Sequence, residues 1–138
     1  MPKSILSKIR LSSLVLSLLV LTACATTHDE LYWLNKSFMA YERALRWQDY
    51  DVVLAFHKNE REKLTAEKRQ YLKQFRVTAY NTVYNKVEPE SKQASQVIEL
   101  KYYKNDSVTI HELTINNTWE YDETAKQWQL TNDLPAFK

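Results

Sequence analysis

The stretch ASQVIELKYYKNDSVTIHELTINNTWEY, residues 94–121, decides the fold of this chain. Apolar or aromatic residues alternate with polar ones on both sides of Asn105-Asp106, a pattern typical of two antiparallel strands with one covered face. Asn and Asp both tolerate a positive φ, so Asn105-Asp106 is predicted to form a two-residue hairpin turn. With that turn, Tyr102 is expected to face Thr109 on the neighbouring strand.

Two further strands extend this hairpin into a sheet. β-Branched and aromatic residues predict four strands in all, at roughly 75–87, 94–104, 107–121 and 126–132. A loop at Asp122–Ala125 would place Trp119 opposite Trp128. Both registers put one set of residues on a single covered face: Ala94, Gln96, Ile98, Leu100, Tyr102, His111, Leu113, Ile115, Trp119, Trp128 and Leu130.

Upstream of the strands the periodicity is helical. Apolar residues recur every three or four positions from Leu31 to Leu45, which predicts a helix over about 29–47. Asp49 is a candidate N-cap for a short second helix through Phe56, and Thr65 for a third helix ending near Gln74. The charged segment 57–64 is expected to be exposed. The predicted fold class is α+β, with N-terminal helices packed on a curved four-stranded antiparallel sheet.

The N-terminus carries a targeting signal. LSSLVLSLLVLTAC, residues 11–24, follows three basic residues and is shorter than the ~20 apolar residues that span a bilayer, which is typical of a secretory signal peptide. Its last four residues resemble the bacterial lipobox. That resemblance implies cleavage after Ala23 and acylation of Cys24. Ala25 in the next position favours the outer membrane facing the periplasm, with the inner membrane left open.

The predicted organisation is therefore a signal peptide over 1–23, an acylated cysteine and short tether over 24–28, and a single periplasmic domain over 29–138. The precursor has 19 Lys and Arg against 17 Asp and Glu. Three of those bases lie in the leader, so 16 remain against 17 in the mature chain, a net charge of −1. This balance gives no support for a nucleic-acid partner. Cys24 is the only cysteine, so no intramolecular disulfide can form.

Glycine is absent from the whole chain. Phosphate-binding P-loops, dinucleotide-binding turns, nucleophile elbows and EF-hand loops all need glycine for positive φ or close backbone approach. None of these motifs can be present in its standard form, and the sequence predicts no cofactor.

Two local patterns carry a resemblance to a known superfamily. They are ALRWQDYD at 44–51, between the first two helices, and W-E-Y, W-Q-L and L-P in the segment 119–135. The chain resembles uncharacterised proteobacterial lipoproteins with a nuclear transport factor 2-like (cystatin-like) domain. The resemblance implies a cone-shaped fold with space between sheet and helices. It implies no chemistry, because this superfamily includes enzymes, ligand binders and assembly modules.

Few residues are candidates for chemistry. The three histidines are widely spaced and contain no metal-binding pair, so no metal site is predicted. His28 and His57 are expected to be solvated, whereas His111 falls on the covered face. A pocket is predicted around four polar residues of that face, namely Gln96, Tyr102, Thr109 and His111. A satisfied histidine at the rim of a filled core would give the same pattern. Asp49 and Asp51 are better explained as a helix cap and its neighbour than as a catalytic pair.

Three functions remain open from the sequence. The first is a non-enzymatic outer-membrane lipoprotein that binds an envelope protein or a small apolar ligand. The second is a nuclear transport factor 2-like enzyme, of isomerase or hydrolase type, that uses His111 with Tyr102 or Asp49. The third, a structural envelope subunit, differs from the first only in its partner.

Overall fold

The computed structural model describes residues 28–59 and 64–138. The chain divides into two compact units, Met1–Trp33 and Leu34–Lys138. The predicted signal peptide, its cleavage point and Cys24 lie outside the described residues. In the first unit the described residues are helical, and the rings of Tyr32 and Trp33 meet edge to face with their centroids 5.3 Å apart. Within the described ranges, no helix is long and apolar enough to cross a bilayer.

Three helices precede the sheet. In the described residues α1 covers 28–46, and His28 is helical. Helix α2 is Tyr50–Phe56 and helix α3 is Ala66–Leu72. Both predicted caps are confirmed. The Asp49 carboxylate accepts a hydrogen bond from the Val52 backbone N–H (3.3 Å), and the Thr65 hydroxyl accepts one from the Lys68 N–H (3.1 Å).

Helix α1 ends in a left-handed residue although the chain has no glycine. Gln48 takes φ 58°, and the N–H groups of Gln48 and Asp49 close a Schellman motif on carbonyls of the last turn. A left-handed non-glycine residue costs roughly 1–2 kcal/mol. The Gln48 side-chain amide offsets this cost, because it donates to the carbonyl oxygens of Lys73 (2.9 Å) and Phe75 (2.8 Å). The end of α1 is thereby fixed to the start of the sheet.

The sheet is a four-stranded antiparallel meander, which confirms the α+β class. Its strands are β1 (Phe75–Glu88), β2 (Gln93–Lys104), β3 (His111–Asp122) and β4 (Gln127–Leu130), in the order β1-β2-β3-β4. A 3₁₀ turn at Pro89–Ser91 joins the first two strands. Strand β1 has two bulges where it pairs with β2.

Both predicted hairpin registers are wrong by two residues. Tyr102 pairs with His111 rather than with Thr109, and Trp119 pairs with Leu130 rather than with Trp128. The third strand begins at His111 instead of 107, so the β2–β3 loop is longer than the two-residue turn that the sequence predicts.

Long-range bonds explain the longer loop. The Asn105 N–H donates to the Gln74 carbonyl oxygen (2.8 Å), and its side-chain amide donates to the Lys73 carbonyl oxygen (3.2 Å). The predicted turn at Asn105-Asp106 is present, closed by the Ser107 N–H on the Lys104 carbonyl oxygen (2.8 Å), but Asn105 is attached to the turn between α3 and β1 and the strands do not pair directly beyond the turn. In the β3–β4 loop, the Asp122 carboxylate accepts the N–H groups of Thr124 and Ala125, each at 2.9 Å.

The predicted covered face is nevertheless confirmed. Side chains alternate between faces with a period of two, so a two-residue slip leaves every side chain on its face. The residues with the lowest exposure in the sheet include Ala94, Gln96, Ile98, Leu100, Tyr102, Trp119, Trp128 and Leu130. The polar residues predicted for the other face are exposed or half-buried.

Trp119 lies at the centre of the core and is fully buried. Its ring meets those of Phe38, Tyr41 and Phe56 edge to face, with centroids 5.3–5.8 Å apart. These three rings come from α1 and α2, so Trp119 joins both helices to the sheet. Phe137 returns to the core and stacks on Phe75.

Candidate functional site

The predicted pocket residues do not share one site. Tyr102 and His111 are direct neighbours across β2 and β3, and their rings stack with centroids 5.3 Å apart. Tyr102 is buried, and its hydroxyl accepts a hydrogen bond from the Lys138 backbone N–H (3.3 Å). His111 is half-buried at the rim of the core. Thr109 is exposed in the β2–β3 loop, outside the sheet.

Gln96 lies six residues from Tyr102 on the same strand, a separation of roughly 20 Å. It is buried, and its side-chain oxygen accepts hydrogen bonds from the Asn117 amide and the Trp119 indole N–H, both at 3.3 Å. Gln96 therefore satisfies core donors at one end of the sheet, while Tyr102 and His111 lie at the other end.

A different histidine, His57, is buried, although the sequence did not mark it as a candidate site residue. His57 was expected to be solvated, but it is only 1% exposed, so that expectation is wrong. Its Nδ1 lies 2.8 Å from the Asn132 carbonyl oxygen, which can only accept, so Nδ1 donates. Its Nε2 lies 3.0 Å from the Tyr41 hydroxyl. Both ring nitrogens are engaged within the core.

Backbone pairing with β4 places His57 in the interior. It makes a parallel bridge with Leu130 directly after α2, and the Lys58 N–H donates to the Leu130 carbonyl oxygen (2.9 Å). This contact covers the β4 edge of the sheet, which would otherwise present unpaired backbone groups. No local signal marks it, because His57 opens a run of charged residues in the sequence.

Amide side chains continue the polar network across the core. The Asn132 amide donates to the Asn117 side-chain oxygen (3.1 Å), and the Asn117 amide donates in turn to Gln96. The Asn132 side-chain oxygen accepts the Thr118 N–H (3.1 Å). These donors each meet an acceptor within the chain. A network bonded in this way stabilises one arrangement of the core.

Three tyrosines lie close together beneath the helices. Burial raises the pKa of Tyr50 to about 12 and also raises the pKa of Tyr41 and of Tyr80 well above the usual value, so all three hydroxyls keep their protons at neutral pH. The Tyr41 hydroxyl is bonded to His57. Among the described residues, the buried hydroxyls of Tyr50 and Tyr80 have no hydrogen-bond partner.

The paired aspartates have structural roles. Asp49 caps α2, as predicted, and Asp51 forms an ion pair with Arg69 at 2.6 Å. Over residues 28–59 and 64–138, no group of three or more His, Cys, Asp or Glu side chains could hold a metal ion.

One large aromatic side chain directly after α1 is strongly exposed to water. Trp47 is 79% exposed, directly after the helix and next to the left-handed Gln48. It lines a cavity of about 280 Å³, here named the Trp47 cleft, together with Met39, Glu42, Arg43 and Arg46. Met39 is 57% exposed. Glu42 forms an ion pair with Arg46 (3.5 Å), so the cleft has a net charge of +1.

A second concavity, of about 210 Å³, crosses the outer face of the sheet. Its charged side chains are Glu99, Lys101 and Glu112, and Lys101 is paired with Glu112 at 2.8 Å. The hydrogen bond from Lys101 lowers the pKa of the Glu112 carboxyl. These groups are exposed; Lys101 and Glu112 neutralise each other, and Glu99 leaves the concavity with a net charge of −1.

The fold and the sites together define an α+β domain with a hydrogen-bonded polar network in its core and a cationic cleft beside its first helix. In comparisons with known proteins, no family model, no curated protein and no solved structure matches the chain.

Proposed function

We propose that this protein is a lipid-anchored envelope protein whose α+β domain works by binding a protein partner and not by catalysis. The leader and lipobox sequence support acylation of Cys24 after cleavage following Ala23. Ala25 supports the outer membrane, with the domain facing the periplasm. Membership of the nuclear transport factor 2-like superfamily is part of the same proposal and rests on the sequence patterns at 44–51 and 119–135.

One observation supports the binding function most strongly. Trp47 is exposed to water on a hydrogen-bonded turn beside a cleft. Burying a large apolar side chain is worth roughly 1.5–3 kcal/mol, and the folded domain forgoes most of that gain at Trp47. The Schellman motif and the two Gln48 side-chain bonds fix the backbone next to it. Tryptophan, arginine and methionine are the residues enriched where protein partners bind.

The arrangement of the histidines gives the enzyme alternative no support. An isomerase or hydrolase of this fold would need His111 beside a substrate cavity with a second polar group. Tyr102, the neighbour of His111, stacks on it and accepts the Lys138 N–H. His57 is engaged on both nitrogens inside the core.

The experiment has two arms. Full-length protein is labelled with fatty acid in cells, and label is expected in the wild type and absent from Cys24→Ser. The acylated protein is then captured from membranes as wild type, Trp47→Ala and Tyr84→Ala. Tyr84 is a matched control, since it is a half-exposed aromatic on β1.

A protein that is captured with the wild type and with Tyr84→Ala, but lost with Trp47→Ala, would support the proposal. Identical captured sets for all three forms would contradict it. Turnover of a small molecule that His111→Ala abolishes while binding persists would favour the enzyme instead.

A further inference from the structure

Three chain turns meet at one end of the second unit. They are the segments 46–49, 73–76 and 104–110, each of which is a turn or loop together with one or two adjoining residues of its helix or strand, named here the three-turn end. The Lys73 carbonyl oxygen holds them together, because it accepts from the side-chain amides of both Gln48 (2.9 Å) and Asn105 (3.2 Å). Residues more than thirty positions apart in sequence therefore lie side by side.

Apolar side chains protrude from this end into water. Val108 is 98% exposed and Ile110 is 53% exposed in the β2–β3 loop, and Trp47 stands on the adjoining turn. The loop backbone is held: the Ser107 N–H donates to the Lys104 carbonyl oxygen (2.8 Å), and the Thr109 N–H donates to the Ser107 hydroxyl (3.1 Å). Single exposed apolar residues are ordinary, but a group of them on turns bonded to one another indicates an interaction surface.

The three-turn end is also positively charged. It contains four basic residues (Arg46, Lys73, Arg76 and Lys104) and two acidic ones (Asp49 and Asp106), a net charge of +2. The mature chain has a net charge of −1, so the remainder of it has a net charge of −3. Lys104 is paired with Asp106 at 3.5 Å, whereas Lys73 and Arg76 make no ion pair within residues 28–59 and 64–138. A complementary partner surface is acidic.

The three-turn end lies at the C-terminal end of α1. The chain enters the unit at Leu34, and α1 then runs to Arg46, a rise of about 18 Å. Trp47 follows at the other end of that helical segment. The three-turn end therefore lies about 18 Å along α1 from the residue at which the chain enters the unit.

We infer that the three-turn end is the docking surface for a protein partner that presents an apolar patch bordered by Asp and Glu. Trp47 and the Val108–Ile110 loop enter the patch, while Lys73 and Arg76 face the acidic border. This inference rests on the proposed binding function and specifies the partner's chemistry.

The test is photo-crosslinking of the full, acylated chain in its own cells. A photoreactive residue is placed at position 47, at position 108, or at position 126 as a control. Lys126 is an exposed residue of the β3–β4 loop. The expected result is that positions 47 and 108 capture the same protein, position 126 does not, and the captured peptide contains Asp or Glu.

Two variants test the two parts of the surface. With the probe at position 108, Trp47→Ala should reduce crosslinking about thirtyfold, the effect of losing a central contact residue. Lys73→Glu should reduce it about fivefold, because a border attraction becomes a repulsion. Lys126→Glu makes the same charge change on a different loop and should leave crosslinking unchanged.

Several outcomes would overturn the inference. The first is crosslinking from positions 47 and 108 to lipid or to a second copy of this chain. The second is an unchanged crosslinking yield in Lys73→Glu. The third is a partner captured only from position 126. A partner captured only from position 126 would leave the binding function standing. Absence of any protein crosslink from all three positions would remove both the inference and the proposed function.

Discussion

His57 provides the sharpest stability prediction, because sequence and structure disagree about it. The change is His57→Leu, which keeps a similar volume and removes both ring nitrogens. In the structure these nitrogens bond the Tyr41 hydroxyl (3.0 Å) and the Asn132 carbonyl oxygen (2.8 Å). Tyr41 is fully buried, so its hydroxyl would lose its partner with no access to water.

The expected loss follows from these two groups. A buried polar atom without a partner costs about 1–3 kcal/mol. Losing the partner of the Tyr41 hydroxyl should destabilise the fold by this full amount, and losing the partner of the half-buried Asn132 carbonyl should destabilise it by less. His57→Leu should therefore lower the free energy of unfolding by about 2–4 kcal/mol. With a typical urea m-value, this corresponds to a midpoint shift of roughly 1–3 M.

The assay is urea unfolding of a soluble form that begins at Ala25, followed by tryptophan fluorescence. His28→Leu is the control; His28 is exposed, so this variant should stay within about 0.5 kcal/mol of the parent. Tyr41→Phe and the double variant complete a cycle. The double variant should lose less than the sum of the single losses, with a coupling energy of about 0.5–3 kcal/mol.

A His57→Leu variant that unfolds within about 0.5 kcal/mol of the parent would refute this reasoning. His57 would then be a solvated surface residue, as its charged sequence surroundings suggest. Strict additivity of the Tyr41 and His57 changes would equally contradict a direct bond between the two side chains.

Three further results are expected. Tyr50→Phe should leave the free energy of unfolding at pH 7 unchanged or slightly raised, because the buried hydroxyl that it removes has no partner among the described residues. The pKa of Tyr50 is about 12 in the folded chain against 10.0 in the unfolded chain. The stability that depends on its protonated hydroxyl is therefore present below pH 10 and is lost as the pH rises from 10 to 12. In urea melts at different pH, Tyr50→Phe should lose less stability than the parent across that window. Trp119→Ala should cost about 3–5 kcal/mol in the same melts and Trp47→Ala less than about 0.5 kcal/mol, and similar losses for both would contradict their opposite burial.

Part of this fold can be predicted from short-range sequence patterns alone. The caps at Asp49 and Thr65, the helical stripe through Tyr41 and Leu45 and the alternation along β2 and β3 each depend on neighbours within a few residues. They define the α+β class and the covered face. The face assignment was insensitive to the register error because side chains repeat with a period of two.

The candidate sites were less predictable. Thr109 left the predicted pocket because the β2–β3 loop is longer than a two-residue turn, and the bond that lengthens it joins Asn105 to Gln74. The sequence analysis did not identify Trp47 as an exposed residue. Only the left-handed turn at Gln48 and its bonds to Lys73 and Phe75 show that the indole stays in water.

The sequence by itself determined the elements and the side of the sheet on which each residue lies. The tertiary structure alone decided that His57 is buried, that Gln96 and Tyr102 lie far apart in the core, and which turns meet around the Lys73 carbonyl oxygen. The physical reason is the range of the interactions. Periodicity and capping act over one or two turns of chain, whereas the bonds of His57 and Lys73 connect residues between 16 and 75 positions apart.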